Sequence, residues 1–345
     1  MITLPVSKRA AQARKLLDDL QSLWVHSIEF VRLNHGQGSK LKRVHWLRNH
    51  GKNGGGNRYV DVQNDLFNRL ALNISSVHYD DKPEKKLGSA TALSCIVHPE
   101  NPLAPSIHSH ISWTELKNGG GSWRLMADLN PAIQNDRQTQ EFSDSIKNVS
   151  GRHFEHGCAQ GDQYFVIPAL ERHRGQFHFY LEGHNSESPE EDLAFASSFG
   201  TQVISSYMAL LHNIHKENPS YDNQQVERQI NYHTLYVYQV VLLDRGTTSG
   251  LLVHNQNDLG ILGSLPQIID KHLLQSWLDK TQAPQDILLL NVLNLLPETK
   301  LVELNKDLRK ELAETIRRFY KEHPQALKLQ ARGFVLPAAL SRHND

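Results

Sequence analysis

Cysteine is almost missing from this chain. Cys95 and Cys158 are the only two, so no disulfide framework is expected and a reducing compartment is the expected setting. Net charge is missing too: 37 Lys and Arg residues balance 37 Asp and Glu, which argues against a nucleic-acid binder with a concentrated basic surface. Long apolar runs are absent as well. The longest, 287–296, is interrupted by Asn291 and Asn294 and falls far short of the ~20 residues a membrane span needs. The first 15 residues carry no apolar stretch after their charges, so no secretory signal is expected and the cytoplasm is the expected location. The glycine-rich stretch 51–57 reads as a loop, and it lacks the Gly-Lys-Ser/Thr ending of a phosphate-binding loop, which argues against a nucleotide site.

What is present suits a soluble chain with a sizeable core: 345 residues, 39% apolar, with a mean hydropathy of −0.50. Leu16, Leu17, Leu20, Leu23 and Trp24 recur at helical spacing and predict an amphipathic helix over 8–33. Short strands are expected at 40–46 and 75–79, then at 90–98, 106–114 and 122–128, the last two joined by a turn at Asn118-Gly119-Gly120-Gly121. A strand is predicted over 176–182 and a capped helix from Ser188 to about His215. The β-prone run 235–243 reads as another strand, followed by a turn at Asp244-Arg245-Gly246-Thr247 and a strand at 250–254, with only helix beyond 264. Without a βαβα alternation or a Pro/Gly-rich linker, the expected class is α+β with an antiparallel sheet.

Residues 94–131 carry the chemistry. Alternate strand side chains share a face, so Ser94, Ile96 and His98 point one way. Ser106, His108, His110 and Ser112 do the same on the next strand, and Arg124, Met126 and Asp128 on the third. Paired, these strands would present a polar floor that hydrogen-bonds a ligand, moves protons, or holds a metal through His98 and His108. The bland alternative is the solvent-facing side of an antiparallel sheet. Histidine is over-represented, with 20 copies, but they are scattered rather than clustered.

The order of the motifs is more specific than any one of them. Ser94-x-x-x-His98-Pro99-x-Asn101-Pro102, the strand bearing His108, Asp128-Leu129-x-Pro131, Asp244-Arg245-Gly246-Thr247 and Ser264-Leu265-Pro266 run collinearly. With Trp46, the 54–56 glycines, Asn73-Ile74-Ser75-Ser76-Val77-His78, Asp162-Gln163-Tyr164-Phe165 and Arg174-Gly175, the sequence resembles oxygen-dependent coproporphyrinogen III oxidase over roughly residues 15–280. The resemblance implies a large, flat antiparallel sheet with helices on both faces, in residues 1–284, followed by a helical extension over 285–345. It implies a homodimer that converts propionate side chains of coproporphyrinogen III to vinyl groups, using O2 and releasing CO2 and H2O2. No organic cofactor is implied, and a divalent metal is left open. By the same resemblance Asp128 hydrogen-bonds pyrrole N–H groups, His108 donates a proton, and Asp244 and Arg245 serve catalysis and carboxylate binding. Ser94, His98, His110 and Ser112 join Asp128 and Arg245 in holding substrate.

Several positions depart from the family pattern. Ser112 stands where an arginine is expected, and Arg124-Leu125-Met126-Ala127 replaces a run of glycines, with Leu125 and Met126 expected to fill space. His254-Asn255-Gln256-Asn257 replaces a Gly-Gly-Arg loop, Ala169 a histidine, and Leu181-Glu182-Gly183 a Phe-Asp-Asp ending. Three readings follow: oxidation of coproporphyrinogen III, the same O2 chemistry on a less anionic substrate, or tetrapyrrole binding without catalysis.

Overall fold

Seven strands form one sheet: β1 (Lys42–Leu47), β2 (Gly54–Val60), β3 (Phe67–His78), β4 (Leu87–Pro99), β5 (Ser106–Leu116), β6 (Gly121–Asn130) and β7 (Phe177–His184). Their order in space is their order in sequence, and every neighbouring pair is antiparallel. Such a meander keeps strand connections local and gives each strand two faces with separate duties. The computed structural model describes residues 2–35, 41–61, 66–217, 220–254 and 256–331. The end of the expected extension, 332–345, and position 255 of the 254–257 stretch lie outside the described residues.

One face is apolar. Leu72 and Ile74 of β3, Leu93 and Cys95 of β4, Ile107 and Ile111 of β5, and Leu125 and Leu129 of β6 enter a single core. Helix α1 (Lys8–Asn34) closes that core through Leu17, Leu20, Trp24, Ile28 and Val31, a stripe with period near 3.6. Its N-terminus is capped by Ser7, whose Oγ accepts from the Ala10 N–H. Helices α2 (Asp136–Ser150), α3 (Phe154–Phe165) and α4 (Pro189–Glu217) follow on, with Phe142, Ala196, Phe199, Val203 and Tyr207 in the same core.

The opposite face meets α5 (Asn223–Leu242) and α6 (Arg245–Val253), behind which α7 (Gln285–Leu295) and α8 (Lys306–Glu322) share a second core. Helices therefore flank the sheet on both faces, and the α+β architecture with a large antiparallel sheet holds. Residues 285–331 pack into the second core through Leu288, Val292, Leu312, Ile316 and Phe319. No helix among the described residues is long and apolar enough to cross a membrane.

Four local expectations are corrected. Residues 235–242 are helix, the second half of α5, not strand. Every side chain from Tyr232 to Leu243 is buried, so the run shows no exposed face and its periodicity cannot separate a buried helix from a buried strand. The signal that decides it is Asp222 with Gln225, a capping box in which each side chain accepts from the other's backbone N–H. Residues 250–253 belong to α6 rather than to a strand. Gly54–Gly56 start strand β2 instead of forming a loop. Gly54 takes φ +104°, and a Cβ on Gly56 would lie 1.8 Å from the Ile74 carbonyl oxygen, so the glycines are what allow β2 to lie against β3 here. Beyond 264, a short ladder joins Ile268–Asp270 to Leu301–Glu303 between the helices.

Candidate active site

The register of the central strands places small side chains in rows on the face opposite the α1 core. Asn73, Ser94, His110 and Met126 form one cross-strand row, and Ser75, Ala92, Ser112 and Arg124 form the next. Ala71, Ile96, His108 and Asp128 make a third. This floor and the N-terminal part of α6 enclose a cavity of about 250 Å³, lined also by Tyr164, Tyr180, Asp244, Arg245 and Thr247. The short side chains of the floor, Ala71, Ser75, Ala92, Ser94 and Ser112, leave the space above it unfilled.

His108 is the floor residue with a buried acid behind it. Its Nδ1 lies 3.0 Å from Asp128 Oδ1, so Nδ1–H donates to the carboxylate and Nε2 is the basic nitrogen. Asp128 is completely buried and its other oxygen accepts from Arg174 Nη2 at 2.6 Å and from Asn130 Nδ2 at 2.6 Å. Burial alone would raise the Asp128 carboxyl; Arg174 and then His108 overcome this and hold it well below the usual carboxylate range. Arg174 is fixed in turn by Gln239 Oε1 at 2.7 Å and lies between the rings of Phe165 and Tyr236. The expected contact of Asp128 with pyrrole N–H groups is thus not what the geometry offers. Asp128 is outside the cavity lining with both oxygens engaged, and it reaches the cavity through His108.

His110 also lines the cavity, its Nδ1 2.7 Å from Ser94 Oγ. Burial, then Arg124 and His108, push its pKa far down, so it is a neutral hydrogen-bonding group at neutral pH. Ser94 and Ser112 share the lining.

Across the cavity, Asp244 caps α6. Its Oδ2 accepts from the Thr247 N–H at 2.9 Å and from Thr247 Oγ1 at 2.6 Å, while Oδ1 accepts from Tyr164 O–H at 2.5 Å. Burial, followed by Asp244, raises the Tyr164 phenol well above its ordinary value, keeping it a donor. Arg245 follows at the first position of the helix, buried and in the cavity wall. The tetrapeptide expected to form a turn is therefore a helix start that aims an acid and a guanidinium at the same space.

His98 is placed elsewhere. It is fully buried outside the lining; Nε2 donates to the Ser264 carbonyl at 3.1 Å and Nδ1 accepts from Ser106 Oγ at 2.8 Å. It packs edge-on against Tyr236. With both nitrogens engaged and His98 outside the lining that holds His108, the structure does not bring the expected metal pair together. No group of three His, Cys, Asp or Glu among the described residues converges to hold a metal ion.

The departures from the family pattern resolve into two kinds. Leu125 faces the apolar core, whereas Arg124 and Met126 line the cavity. Arg124 sits directly across the β5–β6 ladder from Ser112, so the wall that lacks an arginine on one strand gains one on the next. Sequence reasoning gave no role to Arg124, Tyr164, Tyr180 or Arg174. Arg174 had a usable signal, since a lone buried acid on a polar sheet face requires a cation. Tyr164 and Tyr180 had none, because the fold alone brings α3 and β7 to Asp244 and Arg124.

Comparison with known proteins agrees with this geometry. The family model described as coproporphyrinogen III oxidase matches residues 12–277. The oxygen-dependent coproporphyrinogen-III oxidase of Rickettsia akari is 27% identical over 248 residues, covering 66% of this chain and 84% of the relative. That of Drosophila melanogaster is 28% identical over 278 residues, covering 73% and 69%. That of Rickettsia felis is 28% identical over 270 residues, covering 72% and 93%. With the family match spanning most of the chain, the protein belongs to the coproporphyrinogen III oxidase family.

Proposed function

We propose that this protein is an oxidoreductase that decarboxylates coproporphyrinogen III to protoporphyrinogen IX with O2, as a step of haem biosynthesis. The observation that carries the reading is the sheet floor, with its short Ala and Ser side chains, that has His108 at one side and Asp244 and Arg245 across the cavity. A tetrapyrrole can lie on such a floor where bulkier side chains would exclude it. For each propionate, a C–H bond on the carbon next to the ring and the bond to the carboxylate carbon break, and the vinyl double bond forms. The carboxylate carbon leaves as CO2. O2 takes the two electrons and, with the released proton and one more, becomes H2O2. An electron-rich pyrrole reacts with O2 itself, so the protein orients the ring, fixes carboxylates and manages protons.

In this scheme His108 exchanges a proton with the substrate through Nε2, and Asp128 positions and stabilises its imidazole from behind. Arg245 binds a propionate, a task suited to a guanidinium fork, with Asp244 beside it held by Tyr164 and Thr247. Ser94, His110 and Ser112 hydrogen-bond the polar edge of the ring system. His98 supports the floor rather than touching substrate. We place the enzyme in the cytoplasm, in keeping with its two free cysteines, and as a homodimer, on the strength of the family resemblance; light scattering tests the second point. Residues 285–331 serve as an extension that buttresses α5.

Aerobic incubation of the purified protein with coproporphyrinogen III, followed by chromatography, tests the reading. A divinyl product accompanied by CO2 is expected, and no product from folded protein would overturn it.

A further inference from the structure

The row Ser75–Ala92–Ser112 on the cavity floor ends at a single guanidinium, that of Arg124. Its Nη2 donates to Glu182 Oε1 at 2.5 Å, while Nε is buried and meets no hydrogen-bond partner among the described residues. A guanidinium carries five N–H donors in a rigid fork, so part of this one's capacity is unmet by those residues. Glu182 stands behind it, outside the cavity lining, and is itself pinned: Oε2 accepts from Tyr180 O–H at 2.6 Å, and the Glu182 N–H donates to Gln160 Oε1 at 3.1 Å. The Tyr180 ring lies 5.8 Å from the guanidinium carbon. The arginine is thus held in place by groups on the protein side and incompletely satisfied. A buried polar group left short of partners is costly unless something supplies them.

Among the described lining residues, Arg124 and Arg245 are the two permanent cations, and each has an acidic neighbour, Glu182 and Asp244. A substrate with several carboxylates therefore has two guanidinium groups to meet, on opposite walls. We propose that Arg124 binds a substrate carboxylate and sets specificity for the number and position of the acidic side chains, with Glu182 as the counter-ion that the carboxylate must compete with. The proposal rests on the reading of the substrate as a polycarboxylate tetrapyrrole.

If Arg124 served only as the structural partner of Glu182, removing either would weaken the site alike. If it is a ligand, the two changes act in opposite directions. Steady-state turnover of coproporphyrinogen III is measured alongside fluorescence titration with coproporphyrin III and its tetramethyl ester. Arg124→Gln is expected to raise KM and the coproporphyrin Kd by about tenfold to a hundredfold, the range of a charge-assisted hydrogen bond, with kcat changed far less. Glu182→Gln, which keeps one acceptor oxygen for Arg124, lets the Tyr180 hydroxyl turn to accept from the new amide, and removes the competing charge, is expected to lower both by about threefold. The ester, having no carboxylate, is expected to bind wild type and Arg124→Gln alike. Should Arg124→Gln alone not fold, the double variant with Glu182→Gln removes both charges and is expected to show the same loss of affinity.

Unchanged KM and Kd in the arginine variants, or loss of affinity in Glu182→Gln matching that of Arg124→Gln, overturns the proposal while leaving the reaction intact. A wild-type protein that binds coproporphyrin III without turning over the porphyrinogen overturns the reaction, and the titrations then decide Arg124. Wild type that does neither overturns both.

Discussion

The two faces of the seven-stranded sheet come from the same strands yet differ in what their side chains are for. On the α1 side, Leu72, Leu93, Ile111 and Leu125 are large and completely or nearly buried, because every gap there must be filled by the protein. On the α6 side, their immediate sequence neighbours are Asn73, Ala92, Ser112 and Arg124, and a cavity remains above them. A face that is left small while its opposite face is packed is reserved for something that is not protein. One acid is kept out of that space: Asp128 is completely buried behind His108, so of this pair the imidazole alone lines the cavity.

Asp128→Asn should break the link between the buried pair and the cavity most severely. It removes the charge that pairs with Arg174 and leaves a single oxygen where two now serve Arg174 and the His108 N–H. Turnover is expected to fall by about 10²–10⁴-fold, with stability to urea lower by about 3–5 kcal/mol because a buried cation loses its partner. Leu72→Ala attacks the packed face alone: urea unfolding should show a loss of about 2–5 kcal/mol, with KM unchanged in the protein that remains folded.

Ala92→Leu is the reverse experiment. Its added bulk enters the empty space of the cavity, so KM for coproporphyrinogen III should rise about tenfold while stability stays within about 1 kcal/mol. A large stability loss would show that the floor is packed against protein. The smallest effect concerns the layer supporting the cavity. Burial, and then Arg69, lower the pKa of His233 to about 3, whereas the unfolded chain takes up that proton near pH 6.5. The unfolded state then binds more protons, so this contribution to stability is fully present above about pH 6.5 and is lost on acidification toward about 3, by at most about 1.4 kcal/mol per pH unit. Urea midpoints between pH 7.5 and 5 should fall less steeply in His233→Phe than in wild type.

The division between the faces was legible in the sequence because a strand has period two: Ile107 and Ile111 against His108 and His110 can be sorted without knowing any partner. Collinear motifs then supplied the family. The helical roof was not legible in the same way. Residues 235–242 are buried on every side, so their pattern names no period, and β-branched residues there are tolerated because tertiary packing outweighs propensity. The depth of His98 and Asp128 was not legible for a related reason. Alternation tells which face a side chain occupies but not how deep it lies, and both are buried among protein partners. Arg124 looked like a lost glycine; only the β5–β6 register shows it opposite Ser112.

We place the tetrapyrrole on the α6-side face of the sheet. A crystal structure of the protein soaked with coproporphyrin III is the decisive measurement. The macrocycle is expected to lie over Ala92, Ser94 and His110, with carboxylates reaching Arg124 and Arg245. A macrocycle bound elsewhere on the molecule, with this floor empty, would contradict it.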